Sequence, residues 1–128
     1  MTSERLSDLQ LAVLDVLWRE GEATVARVRE ALATERDLAP TTVATILTRL
    51  EKRGVVERRP ESRPFAYRAA VTRLEVRRST ITRILDRLFQ GDPASLVSHL
   101  VREGEMDPRD LVALKKRLET TREGDDES

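Results

Sequence analysis

The fold is decided by residues 40–54, which read PTTVATILTRLEKRG. Proline is favoured in the first turn of a helix and glycine directly after its end, so Pro40 and Gly54 predict a helix between them. Thr41, Thr42, Thr45 and Thr48 lie in this short segment. Threonine is a mediocre helix former because its branched β-carbon loses rotamer freedom against the preceding turn. So many threonines therefore need a reason other than helix stability.

The two faces of this helix differ in chemistry. At about 100° per residue, the apolar residues fall into one narrow stripe, and small hydroxyl residues and cations fall on the opposite side. The stripe consists of Val43, Ile46, Leu47 and Leu50. The opposite side consists of Thr41, Thr45, Thr48 and Lys52, flanked by Ala44 and Arg49. A helix that only had to be soluble would use Glu, Lys and Gln there.

A small hydroxylated face with a cationic rim suits a helix that lies close against DNA. The major groove, about 12 Å wide, accepts an α-helix. Threonine hydroxyls can bond phosphates or base edges, and their methyl groups can contact thymine methyls. The alternatives are an indifferent solvated surface or a face that packs against another protein.

The elements around this helix predict a winged helix-turn-helix. Ser7 and Gln10 form a capping-box pattern that starts a first helix, and Thr24 caps a second. After Gly54 the periodicity changes to two short strands at 55–59 and 65–69, joined by a proline-bounded turn. In helix-turn-helix proteins the second helix of the pair enters the major groove, and here that is the threonine helix.

The hairpin supplies a basic wing. Arg58, Arg59 and Arg63 are expected beside the threonine helix, near phosphates or the minor groove. Arg63 stands between Pro60 and Pro64 with few neighbours to orient it, which favours phosphate contact over base readout.

The C-terminal part predicts a helical dimerisation domain. Thr72 and Glu75 form a second capping box, and the pairs Asp92-Pro93 and Asp107-Pro108 start two further helices. The segment is too thin to bury its apolar residues within one chain, so we expect them to meet a second copy. The predicted interface is Ile81, Ile84, Leu85, Leu88, Leu96, Val97, Leu100, Leu111, Leu114 and Leu118.

The resulting fold class is mainly α with a small β-hairpin. The predicted domains are a DNA-binding domain at 1–71 and a dimerisation domain at 72–119. An acidic tail at 120–128, which ends in TREGDDES, has almost no apolar character and is predicted to be disordered.

Composition and charge agree with this organisation. Net charge is zero, but the charges are unevenly distributed. Residues 40–78 contain ten Lys and Arg and four Glu. Residues 1–39 contain five basic and eight acidic residues, and residues 79–128 contain eight basic and eleven acidic residues. A basic middle between acidic ends favours contact with a polyanion, although a solvated charged surface is the alternative. The chain has no cysteine, which excludes disulfides and thiolate metal sites. No run of about 18 apolar residues exists, so we expect a cytoplasmic protein without membrane contact.

Several segments resemble the penicillinase-repressor family (BlaI/MecI type) of bacterial transcriptional regulators. These segments are LSDLQLAVLDVLWREG, TVARVREAL, LAPTTVATILTRLEKRGVV, FAYRA and SLVSHLVREGEMDPRDLVALKKRLE, which together span about residues 6–119. The resemblance implies an N-terminal winged helix, C-terminal helices that interlock two subunits, and repression by dimers on palindromic operators. It also implies DNA contacts at Thr41, Thr42, Ala44, Thr45 and Arg49.

The chain departs from the family pattern at three places. Family members often carry a basic residue where Ala44 stands, which bears on the operator sequence. Members that respond to β-lactams are cut at an Asn-Phe bond, whereas this chain has His99-Leu100 there. Copper-responsive members end in clustered cysteines, which this chain lacks.

Other functional classes have less support. An enzyme would need a nucleophile, an acid–base pair or a metal site, and the single histidine, His99, lies among apolar residues on a predicted interface helix. No cofactor or metal is expected. A winged helix used only for protein binding remains the alternative from another class, but it would favour an apolar or acidic outer face. A small-molecule sensor usually needs a roomy pocket, and four aromatic residues suggest no obvious lining.

Overall fold

The computed structural model describes the backbone of residues 5–127 and the side chains of residues 5–120. The predicted class, mainly α with a small sheet in a winged-helix arrangement, is confirmed. The elements run α1 (Asp8–Glu20), β1 (Ala23–Thr24), α2 (Val25–Leu32), α3 (Pro40–Lys52), β2 (Val56–Arg59), β3 (Ala66–Ala69), α4 (Arg73–Leu88), α5 (Pro93–Arg102) and α6 (Pro108–Glu127). The chain forms two compact units, Met1–Ile81 and Thr82–Ser128.

Local signals set the helix boundaries. Ser7 and Gln10 form the predicted capping box, with the Gln10 N–H donating to the Ser7 hydroxyl at 3.1 Å and the Ser7 N–H to the Gln10 amide oxygen at 2.9 Å. Thr72 and Glu75 repeat this reciprocal pair at the start of α4. Ala39, at the N-cap of α3, makes no side-chain cap, because its methyl group has no oxygen. Gly54 follows α3 with φ of +77°, a left-handed conformation that glycine adopts without strain.

The core of the first unit lies beneath α3. Val43, Ile46, Leu47 and Leu50 are all buried, so the predicted apolar stripe is confirmed. They pack with buried residues of α1, α2 and the strands in one cluster. Burying a leucine or valine side chain stabilises a fold by about 1.5–3 kcal/mol. This cluster therefore fixes which side of α3 faces outward.

The sheet has three strands, one more than the sequence predicts. The order is β1-β3-β2, and both pairings are antiparallel, with Ala23 opposite Tyr67 and Arg58 also opposite Tyr67. Thr24, which caps α2, has extended dihedral angles (φ −82°, ψ 168°). An N-cap residue has a strand-like backbone, so the same residue can cap a helix and pair with β3.

A half-buried tryptophan ties the end of the hairpin to α1. The Trp18 indole N–H donates to the Val71 carbonyl at 2.9 Å, and the Arg73 guanidinium lies 5.3 Å from the Trp18 ring centroid. Val71 and Val76 belong to the core of the first unit. The first turns of α4 therefore pack with the winged helix, and the compact unit that contains them runs to Ile81. The division into functional domains at residues 71 and 72 stays a prediction.

In the second unit the apolar residues remain at least partly exposed to solvent. None of the residues from 77 to 120 is buried in the single chain, and Leu88 and Leu118 are 68% and 54% exposed.

Helix α6 continues through Glu127. The sequence predicts that residues 120–128 are disordered. From residue 121 on, the side chains lie outside the described part of the structure, so this disorder stays a prediction. No helix in the described part is long and apolar enough to cross a membrane.

Candidate nucleic-acid interface

The outer face of α3 carries the predicted residues. Thr41, Thr42, Thr45, Thr48, Arg49 and Lys52 are exposed, and Ala44 is half-buried. The helix begins at Pro40 and its opposite side is anchored in the core, so these side chains share one solvent-facing surface. We call this set the α3 face. The sequence predicts this exposure for Thr41, Thr45, Thr48 and Lys52, whereas the exposure of Thr42, which the helical spacing leaves off the polar side, is a finding of the structure.

One threonine hydroxyl on the α3 face is already engaged. The Thr45 hydroxyl donates to the Thr41 carbonyl at 2.9 Å, one turn earlier. A carbonyl oxygen cannot donate, so the hydroxyl proton is fixed on this bond. Towards an external ligand, Thr45 in this rotamer offers only acceptor lone pairs.

The cations of the α3 face have no acidic partner in the described part of the chain. Within residues 5–120, Arg49 and Lys52 form no ion pair, whereas many other arginines of this unit do. Arg27, for example, lies 2.8 Å from Glu20, and Arg68 lies 2.9 Å from Glu57. An exposed cation without a neighbouring carboxylate keeps its full charge for an anionic partner.

The two arginines of β2, Arg58 and Arg59, lie on opposite sides of the wing. Arg58 lies 3.6 Å from Glu51 in the last turn of α3, and Arg59 lies 2.9 Å from Glu22, which precedes β1. Side chains of consecutive strand residues point to opposite faces, so Arg58 and Arg59 cannot both contact the same surface of a partner. Arg58 stays next to α3, and Arg59 lies apart from it.

Arg63 is well oriented, and the expectation of few neighbours is wrong. Its guanidinium carbon lies 4.2 Å from the centroid of the Phe65 ring, and that of Arg58 lies 4.3 Å from the same centroid. One terminal nitrogen of Arg63 also donates to the carbonyls of Pro60 and Ser62, both at 2.8 Å. Cation–π contacts at exposed sites stabilise by about 0.5–1 kcal/mol each. We call Arg58, Arg63 and Phe65 the wing cluster.

The sequence reasoning missed Phe65 as part of this surface. The alternation in FAYRA places Phe65 and Tyr67 on one strand face, and β2 brings Arg58 opposite Tyr67 on that same face. The alternation in FAYRA was the signal available in the sequence, whereas the pairing register is known only from the structure. Glu51 and Glu22, which partly neutralise Arg58 and Arg59, had no signal in the sequence because they come from other elements.

The described residues form no evident metal site. Among them no group of three or more His, Asp or Glu side chains is placed to hold a metal ion. His99 is exposed in the single chain, and its ring meets Phe89 edge-on with centroids 6.1 Å apart.

The fold and this exposed cationic face define a winged-helix protein of the nucleic-acid-binding kind. The sequence profile of the penicillinase repressor family matches residues 6–120, so the chain belongs to this family. Family and fold together make it a DNA-binding transcriptional repressor.

Individual relatives agree with this assignment. The chain is similar to the methicillin resistance regulatory protein MecI of Mammaliicoccus sciuri, with 24% identity over 113 residues, 88% of this chain and 92% of that protein. It is 48% identical over 64 residues to the transcriptional regulator BlaI of Mycobacterium tuberculosis, which covers 49% of this chain and 46% of that protein.

Among solved structures, a similar one is the monomeric form of Bacillus licheniformis BlaI in complex with the blaP half-operator. It is 28% identical, covers 55% of this chain and 85% of that one, and has a TM-score of 0.48.

Proposed function

We propose that this protein represses transcription in the cytoplasm as a homodimer on a palindromic operator. The α3 face enters the major groove, and the wing cluster meets the adjoining backbone. The observation that carries this proposal is the α3 face itself, where exposed threonines stand beside Arg49 and Lys52, cations without acidic partners among residues 5–120.

The two parts of the surface have different roles. Threonines on α3 are short enough to let the helix backbone approach base edges, where sequence is read. Arg58 and Arg63 belong to the wing cluster, and their guanidinium groups suit phosphate contacts, which set position rather than sequence. The Phe65 ring reduces the freedom of both side chains before binding, and preorganisation of this kind lowers the entropy lost on association.

Selection from random duplexes with the purified protein tests this function. An enriched inverted repeat, whose half-sites are separated by about one helical turn of DNA or a multiple of it, is the expected result for a two-fold dimer. Enrichment of a single unrepeated site would contradict the dimer arrangement. No enrichment at all would contradict sequence-specific binding and favour the protein-binding alternative.

The dimer is supported by apolar side chains that one chain leaves uncovered. All ten residues of the predicted interface are exposed or half-buried in the single chain. Each such side chain, when fully buried, is worth about 1.5–3 kcal/mol, so covering several of them provides a strong driving force. Exposed apolar patches of this kind mark interaction surfaces in soluble proteins.

Sedimentation of the intact protein at micromolar concentration tests the dimer. We expect a dimer for the wild type and a shift towards monomer for Leu114→Asp, because a carboxylate in an apolar interface is costly to desolvate. Ala113→Asp is the matched control, since Ala113 is exposed on the same helix but outside the predicted interface. A monomeric wild type, or equal behaviour of the two variants, would contradict this interface.

A further inference from the structure

A cavity of about 530 Å³ lies between α2, the first turns of α3 and the wing. Its walls are mainly apolar and include Val25, Pro40, Ala44 and Phe65. Ligand pockets of proteins commonly have volumes of about 300–1,000 Å³ and apolar walls with a few polar groups. The expectation that the few aromatic residues offer no lining is therefore wrong, since Phe65 and Tyr67 both line this cavity.

The charged groups at the cavity are all cations. Arg29 and Arg63 line it, and no acidic residue does so in the described part of the chain. The Arg29 Nε donates to the Leu38 carbonyl at 2.7 Å, and its two terminal nitrogens have no partner among residues 5–120. The cavity therefore presents guanidinium donors that are held in place and only partly used.

Tyr67 adds a hydroxyl that is open to solvent at the cavity and has no partner among the described residues. The residue is only 7% exposed, and its hydroxyl makes no hydrogen bond to any described residue. Water can therefore satisfy this hydroxyl in the free protein. A carboxylate in the cavity would replace that water as the acceptor and would form a charge-assisted hydrogen bond.

We propose that the cavity binds a small organic carboxylate with an apolar, ring-containing body, and that this ligand relieves repression. The carboxylate accepts hydrogen bonds from Arg29, Arg63 and Tyr67, and the body packs against the apolar walls. Ala44 belongs to the α3 face and Arg63 to the wing cluster, so a ligand here occupies space that DNA also needs. The regulatory part rests on the proposed function; the binding site itself does not.

Nuclear magnetic resonance titration of the intact protein without DNA tests the site, with 2-naphthoate as the probe. For a ligand of this size we expect a Kd on the order of a millimolar, with saturable shifts at Ala44, Phe65 and Tyr67. The neutral 2-naphthylmethanol should bind about tenfold more weakly or worse, because it lacks the charge-assisted hydrogen bonds. Equal affinity for both probes, or shifts confined to other surfaces, would overturn the site.

Two variants test the assigned donors. Tyr67→Phe removes only the hydroxyl and should weaken naphthoate binding about two- to tenfold without lowering thermal stability, since that hydroxyl has no partner among residues 5–120. Arg29→Gln should weaken it about tenfold, whereas Arg19→Gln, which changes a cation away from the cavity, should leave it unchanged. Unchanged affinity in both Tyr67→Phe and Arg29→Gln would overturn the assignment.

Operator titrations separate this inference from the proposed function. At about ten times its Kd, 2-naphthoate should lower the apparent operator affinity about tenfold if the two ligands exclude each other. Operator binding that is unaffected by a bound naphthoate would overturn the regulatory part. Failure of the ligand-free protein to bind any duplex would instead contradict the proposed function, while the probe titration would still decide the site.

Discussion

Replacing Thr45 with valine is the sharpest test of how the α3 face reads DNA. The Thr45 hydroxyl proton is donated to the Thr41 carbonyl at 2.9 Å, so towards DNA the hydroxyl can only accept. Phosphate oxygens are acceptors as well, and they cannot bond to it. The acceptable partners in the major groove are the amino groups of adenine and cytosine. Of the two roles that the sequence allows for this threonine, the geometry favours base contact.

The expected loss of operator affinity follows from what the Thr45→Val substitution removes. Valine keeps the shape and a methyl group of threonine but has no oxygen, so a base amino group would lose its partner. Losing a base-reading contact costs about 1–3 kcal/mol, which corresponds to roughly 5- to 150-fold in operator affinity. Valine and threonine have similar helix propensities and Thr45 is exposed, so the free energy of unfolding should change by less than about 0.5 kcal/mol.

Fluorescence anisotropy titrations with the selected operator and with a random duplex, at one fixed salt concentration, provide the assay. We expect Thr45→Val to lose affinity for the operator only. Thr45→Ser keeps the hydroxyl and loses the methyl group, so it should bind nearly as well as the wild type. An equal loss on both duplexes would indicate a phosphate contact and refute the reasoning. A serine variant as weak as the valine variant would assign the contact to the methyl group instead.

Three further predictions concern the wing, a helix start and an ion pair. Arg63→Ala should weaken binding to operator and random DNA by similar factors and reduce the log–log salt slope by about 0.9, measured by titration at several salt concentrations; an unchanged slope would exclude a phosphate contact. Ala39→Ser should stabilise the fold by about 0.5–1 kcal/mol in denaturant unfolding, because Ala39 occupies an N-cap position without a capping side chain; no gain would mean that the cap geometry is not maintained in solution. The Arg27 hydrogen bond lowers the pKa of Glu20 below its ordinary 4.5, so this pair stabilises the fold above that pH and the contribution is lost as pH falls through the folded pKa. Glu20→Gln should therefore be less stable than the wild type at neutral pH and equal to it in acid, and a stability difference that does not depend on pH would contradict this.

The sequence by itself determined the features that depend on neighbours along the chain. The capping boxes at Ser7 and Thr72 join residues within one helical turn, so their residue types are sufficient to predict them. The burial of one side of α3 follows in the same way from the spacing of its apolar residues. Except for Thr42, the outward position of the α3 face was therefore predictable from residues 40–54 alone.

Only the tertiary structure decided the features that join distant segments. Strand β1 exists because β3 lies beside residues 23 and 24, which are too few to predict a strand from their own sequence. The separation of Arg58 from Arg59 depends on Glu51 and Glu22, which belong to different parts of the chain. The cavity beside Tyr67 likewise needs α2, α3 and the wing to meet. Contacts of this kind are set by packing between elements, and the pattern within any one element carries little information about them.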